Sequence, residues 1–148
     1  MSTSTIHASA VLIGAHAVLI RGSSGAGKSQ LAWQLIEAAP ARLPFARLVG
    51  DDRVFVDAHH GRLIVRPAPE LAGLLEIRGL GIRRLPHEPR AVVGVVVDLG
   101  AAGADRLPAR EAGETEILGV TLPRLAVPPS GPALPGLLAM VHTAAAGD

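Results

Sequence analysis

The sequence predicts an α/β domain in which a β-hairpin delivers a phosphate-binding loop to a mixed sheet. Three observations predict it. Residues 22–29, Gly-Ser-Ser-Gly-Ala-Gly-Lys-Ser, match the pattern G-x-x-x-x-G-K-[ST] at every fixed position. The flanks are those the pattern requires: Ala17-Val18-Leu19-Ile20 reads as a buried strand running in, and Lys28 to Glu37 as a helix running out. Two β-rich runs, Ala8 to Ile13 and Ala17 to Arg21, are separated only by Gly14-Ala15-His16, which is hairpin spacing.

The remaining elements follow in order. Pro40 and Pro44 stop the helix from continuing. Arg47-Leu48-Val49 predicts a short strand ending in Gly50-Asp51-Asp52. Arg53 to Ala58 and Arg62 to Arg66 predict a second hairpin, turning at His59-His60-Gly61. Residues 69–75, with Pro69 in the first turn, predict a short helix. Ala91 to Leu99 is a run of valines and the clearest buried strand. Ala101 to Glu114, rich in Gly, Ala and charge, predicts a loop. Leu118 to Val127 is strand-like, and Leu134, Leu137, Leu138 and Val141 have near-helical spacing within residues 132–146.

Composition bounds the function classes. With 148 residues, 49% hydrophobic and 18% charged, the expectation is one globular domain over residues 1–148. One Trp, two Phe and no Tyr exclude a base-stacking platform, and a net charge of +1 argues against a nucleic-acid partner. The absence of Cys excludes disulfides and zinc–thiolate sites. The polar start Met1-Ser2-Thr3-Ser4-Thr5 does not read as a targeting segment, and the apolar stretch Ala91 to Val97 is too short to span a bilayer. A cytoplasmic location with no membrane partner is expected.

Each position of the loop has a physical job. Gly22, Gly25 and Gly27 admit backbone conformations closed to side-chain-bearing residues, so the N–H groups of Gly22, Ser23, Ser24, Gly25, Ala26 and Gly27 can line one concavity. Lys28 brings positive charge to the β/γ-phosphates, Ser29 offers a hydroxyl to Mg2+, and the positive end of the following helix faces the phosphates. The loop therefore implies binding of a nucleoside triphosphate, ATP with Mg2+. Asp51-Asp52 reads either as a solvated turn or as a metal-plus-base pair, because neighbours on an extended segment point to opposite sides. His7, His16 and the His59-His60 pair read as surface residues. Arg78, Arg83, Arg84 and Arg90 form a basic cluster able to hold phosphate or an acidic partner. Glu76 and Arg78, two residues apart on an extended segment, precede Gly79 and Gly81, which suggest a tight turn or a hinge.

Taken together, Ile6-His7, the hairpin, residues 22–29, Val49-Gly50-Asp51-Asp52-Arg53-Val54 and the segment Leu74-Leu75-Glu76-Ile77-Arg78-Gly79-Leu80-Gly81-Ile82 resemble, in order and spacing, the catalytic C-terminal domain of bacterial HPr kinase/phosphorylase. Residues 74–82 resemble that family's signature sequence. The resemblance implies a fold like that of phosphoenolpyruvate carboxykinase and an ATP-dependent protein serine kinase acting on the phosphocarrier HPr, with phosphorolysis as the reverse activity. It also implies a homo-oligomer, a hexamer in the family. By the same resemblance His7 lies at the acceptor site and Asp51 is the proton-accepting base. Ser29, Asp52 and Glu76 are magnesium ligands, and Arg78 is the cation that orients the acceptor or steadies the transition state.

The chain also departs from the family pattern. It starts just before the catalytic hairpin, implying a short form lacking the N-terminal domain. Gln30 follows Ser29 where an acid is usual. Residues 101–148 diverge, and Pro128 to Pro135 replaces a basic loop with a Gly-Arg-Asn core. Two other readings stand beside the protein kinase: a small-molecule kinase or nucleoside-triphosphatase, and a nucleotide-binding regulatory module without catalysis.

Overall fold

The computed structural model describes residues 2–101, 113–129 and 131–143. The entry hairpin is present as β2 (Ala8–Ile13) and β3 (His16–Arg21), paired antiparallel from Ala8 opposite Arg21 to Ile13 opposite His16. Helix α1 spans Lys28–Glu37, as the sequence predicts at both ends. Strands β4 (Ala46–Gly50), β5 (Val54–His59) and β6 (Arg62–Pro67) follow, the last two forming the second expected hairpin.

The described strands of the main sheet run in the order β1-β5-β6-β9-β3-β2-β4, where β1 is Ser2–Ile6 and β9 is Ala91–Leu99. Strand β9 is its spine. It pairs parallel with β3, antiparallel with β6 at its start, and parallel with β11 (Val120–Val127) at its end. The sheet is therefore mixed. Period-2 alternation divides its side chains between two cores. Val11, Ile13, Val18 and Ile20 pack with Leu31, Leu35 and Leu137 under α1 and α2 (Leu134–His142). Ala10, Ala17 and Leu19 pack on the other face with Val54, Val56, Leu63 and Val65 of the second hairpin.

Two expectations are corrected and one pair of alternatives is decided. The helix over 69–75 reduces to one 3-10 turn, Pro69–Leu71, because Gly73 at φ +77° breaks it and the chain re-extends as β7 (Leu74–Ile77), burying Leu75. Of the tight turn and the hinge that Gly79 and Gly81 suggest, the tight turn is present: Gly81–Arg84 forms β8, which pairs with β7 as a separate two-stranded sheet. Glu114, placed at the end of a loop, instead opens β10 (Glu114–Ile117), which joins β11 through Leu118 and Gly119, both at positive φ. The rest of that expected loop lies mostly outside the described residues. Helix α2 occupies the expected C-terminal apolar stretch but ends at His142.

Candidate functional site

The loop between β3 and α1 supplies one wall. Gly25 and Gly27 take φ of +83° and +101°, and the Ala26 N–H donates to the Ser23 carbonyl at 3.0 Å. This bond and the two left-handed glycines keep the loop curled, the form in which backbone N–H groups can cradle an anion. Gly27 caps α1 without a side-chain hydrogen bond, and the first turn carries no acid. Nothing on the helix itself competes for its first N–H groups, which suits an anion. Lys28 folds back over the loop, its Nζ donating to the carbonyls of Gly22 at 2.8 Å and Ser23 at 3.1 Å.

The acidic turn after β4 supplies the second wall through Asp52, with Asp51 set behind it. Asp51 sits just past the end of β4, only 5% exposed, and its carboxylate gathers donors from three parts of the chain. The Ser29 hydroxyl lies 2.9 Å from both of its oxygens, Ser9 Oγ donates to Oδ1 at 2.5 Å, and the Glu76 N–H reaches Oδ2 at 3.4 Å. Asp52 is placed differently. It is exposed, takes φ +67°, and lines the cleft. Aspartate is among the few side-chain-bearing residues that occupy this left-handed region readily, so the turn reading and the functional reading of Gly-Asp-Asp hold together. The turn is what sends the two carboxylates to different surroundings.

The third wall is the β7–β8 hairpin, which contributes Glu76, Ile77, Arg78, Gly79 and Gly81. The cleft, about 660 Å³ in volume, is completed by Ser24, Gln30 and Trp33. That volume is of the size that holds a nucleotide-sized ligand.

The structure thus brings together Lys28, Ser29, Asp51, Asp52, Glu76 and Arg78. It does not bring in His7, which is exposed between β1 and β2 and outside the cleft lining. Arg83, Arg84 and Arg90 are exposed, and Arg83 and Arg84 lie on β8. His59 and His60 meet edge to face with ring centres 4.1 Å apart, and no group of three or more His, Cys, Asp or Glu able to hold a metal occurs among the described residues. Magnesium needs few protein ligands when phosphates supply the others, and the hydroxyl of Ser29 with the nearby carboxylates is the hard-oxygen set it takes.

Sequence reasoning missed two residues of the site. Ser9 is fully buried and holds Asp51; its signal was a lone hydroxyl in the apolar run Ala-Ser-Ala-Val-Leu-Ile. Trp33 lines the cleft one helical turn after Ser29, a neighbour on the same face.

A strand–loop–helix phosphate cradle facing an acidic pair, on a sheet entered by an antiparallel hairpin, defines a phosphate-loop α/β domain of mixed-sheet type. The model of the HPr serine kinase C-terminal domain matches residues 1–132, and the chain belongs to that family. It is 36% identical over 141 residues to the HPr kinase/phosphorylase of Geobacillus thermodenitrificans (strain NG80-2), covering 85% of this chain and 42% of the relative. To the HPr kinase/phosphorylase of Limosilactobacillus reuteri (strain DSM 20016) it is 35% identical over 137 residues, covering 84% and 40%. The chain spans about two-fifths of the length of these relatives. The solved structure of the HPr(Ser) kinase/phosphatase from Coxiella burnetii superposes with a TM-score of 0.72 at 25% identity, covering 93% of each chain. No helix among the described residues is long and apolar enough to cross a membrane.

Proposed function

We propose that this domain transfers the γ-phosphoryl group of ATP to a serine of HPr or an HPr-like phosphocarrier protein. The observation that carries the reading is the buried Asp51 carboxylate holding the Ser29 hydroxyl at 2.9 Å beside the phosphate loop. A carboxylate pinned to the loop serine fits a magnesium–triphosphate site. Bound there, magnesium would neutralise charge on the phosphate oxygens, with Ser29 and Asp51 holding it and Glu76 at the cleft wall as a further ligand.

The same geometry argues for exchanging the two roles that the resemblance implied for the aspartates. Asp51 is buried and committed to two hydroxyls, which suits the metal side. Asp52 is exposed to the cleft, which suits the base that takes the acceptor serine's proton. Lys28 leaves two backbone carbonyls to reach phosphate oxygens, and the loop N–H groups orient the transferring group. Arg78 offers a guanidinium at the opposite wall, where charge develops on transfer. His7, exposed and outside the cleft lining, takes no part in this reading.

The test is incubation with γ-labelled ATP, magnesium and purified HPr. Label on an HPr serine is expected. Label only on a small molecule or in free phosphate makes the chain a metabolite kinase or a nucleoside-triphosphatase, and no release with intact nucleotide binding makes it a regulatory module.

A further inference from the structure

The β7–β8 hairpin does more than line the cleft. Its turn is closed by the Leu80 N–H donating to the Ile77 carbonyl at 2.9 Å, with Gly79 and Gly81 at φ +88° and +89° on either side of Leu80. These glycines let the chain reverse tightly and leave Leu80 at the tip, 65% exposed. Ile82 is 62% exposed and pairs directly across from Glu76, so it shares a face with a residue of the cleft wall. Every residue of β8 is exposed, and β8 pairs with no described strand other than β7.

Charge completes the pattern. Arg78, Arg83 and Arg84 are exposed on the same hairpin, and none forms an ion pair with a carboxylate of the described residues; Arg42, Arg62 and Arg90 likewise form none there, but among the described residues only this hairpin gathers three such arginines within seven positions. Arginines on an open strand guard against edge-to-edge association. That accounts for the charge, but it leaves two large aliphatic side chains in water at the mouth of a phosphate cleft. Exposed apolar side chains rimmed by uncompensated arginines are what an interface requires.

Resting on the kinase reading above, we propose that the β7–β8 hairpin is the docking surface for the acceptor protein, which presents an apolar patch flanked by carboxylates beside its acceptor serine. Leu80 and Ile82 seat the apolar patch, and Arg83 and Arg84 meet the carboxylates. Because the hairpin is itself a wall of the cleft, docking there places the acceptor serine at the cleft mouth.

The experiment compares the wild-type chain with L80S/I82S and with Arg84→Glu, using purified HPr as the probe. HPr binding is measured by calorimetry, the KM for HPr by label transfer, and ATP affinity by the fluorescence of Trp33, the single tryptophan of the chain. L80S/I82S is expected to weaken HPr binding and raise its KM about tenfold or more, with ATP affinity unchanged. Arg84→Glu does the same most strongly at low salt, and Arg84→Lys recovers most of the loss. An unchanged KM for HPr in L80S/I82S overturns the docking surface while leaving the kinase reading standing. Failure of the wild-type chain to bind HPr also overturns it, and label on the serine of another protein then shows that the kinase reading has survived.

Discussion

The hydroxyl of Ser29 lies 2.9 Å from both carboxylate oxygens of Asp51, so the last residue of the phosphate loop and the end of a strand two elements later form one unit. Asp51 is buried, Ser29 is half-buried at the cleft, and Ser9 braces the pair from behind. A hydrogen bond to a charged group contributes about 1.5–3 kcal/mol, so the brace is a structural element as well as a positioning one.

Lys28→Ala is expected to abolish phosphoryl transfer without unfolding the chain. Lys28 is half-buried, and among the described residues its Nζ bonds only to the carbonyls of Gly22 and Ser23. The loss should reach roughly 10²–10³-fold in turnover, as for removal of a preorganised electrostatic donor. Label transfer measures it, and near wild-type turnover would refute the loop's role.

Asp51 and Asp52 should separate by which step fails. Asp51→Asn is expected to weaken magnesium-dependent nucleotide binding about 10–100-fold, the usual cost of disturbing a metal-orienting group. Asp52→Asn should bind nucleotide normally and lose roughly 10²–10⁴-fold in turnover, as loss of a general base does. Asparagine also tolerates the left-handed φ of +67° at position 52, so this change removes charge without straining the backbone. Titration of ATP with and without magnesium decides between them, and the opposite pattern would restore the roles that the family resemblance implied.

Gly50→Ala tests the packing behind the acidic pair. A Cβ there would lie 2.7 Å from Val54 Cγ1 and 3.3 Å from the Cα of Pro67, where β5 and β6 close on the end of β4. Overpacking of this kind costs about 1–3 kcal/mol. Thermal unfolding should show Tm lowered by several degrees, and an unchanged Tm would mean the strands can part there.

Asp98 should govern part of the acid sensitivity. Burial alone would raise its pKa, but hydrogen bonds from Arg21 at 2.7 and 2.8 Å and from Arg124 at 2.5 Å, with their charges, lower it below its ordinary value of 3.8. The folded value is depressed, so the stabilisation is present above the unfolded pKa and is lost as pH falls through the folded one. Asp98→Asn is therefore expected to destabilise the chain at neutral pH and to flatten the stability curve below about pH 4. Urea titrations from pH 2 to pH 7 would reveal it.

Phosphorolysis should be weak. Attack by inorganic phosphate on phosphoserine brings two anionic groups together and needs more cationic charge than the forward reaction. Residues 126–136 contain no Lys or Arg, and Arg124 just upstream is engaged with Asp98. Supplying phosphoserine-HPr with excess phosphate should release little pyrophosphate. Rapid release would assign the missing charge to the hairpin arginines.

The residues readable in the sequence were those whose physics is local. The loop at 22–29 announces itself because its glycine conformations, its lysine and its helix start lie within eight consecutive positions. Helix α1 was readable at both ends for the same reason, and so were the two hairpins, whose turns lie between adjacent runs. β7 was not, because two leucines after a proline fit a helix start as well as a strand, and only Gly73 at positive φ with the pairing to β8 decides between them.

By itself, the sequence determined the phosphate loop, its flanking strand and helix, the hairpin entry and the family. Only the tertiary structure decided that Ser9 braces Asp51 across 42 positions, that Asp51 turns inward while Asp52 faces the cleft, and that Leu80 and Ile82 stay in water beside it. The reason is physical. Loop and hairpin geometry follow from neighbouring φ, ψ and hydrogen bonds, whereas burial and the choice between two adjacent carboxylates follow from strand register, which depends on segments far apart in the chain.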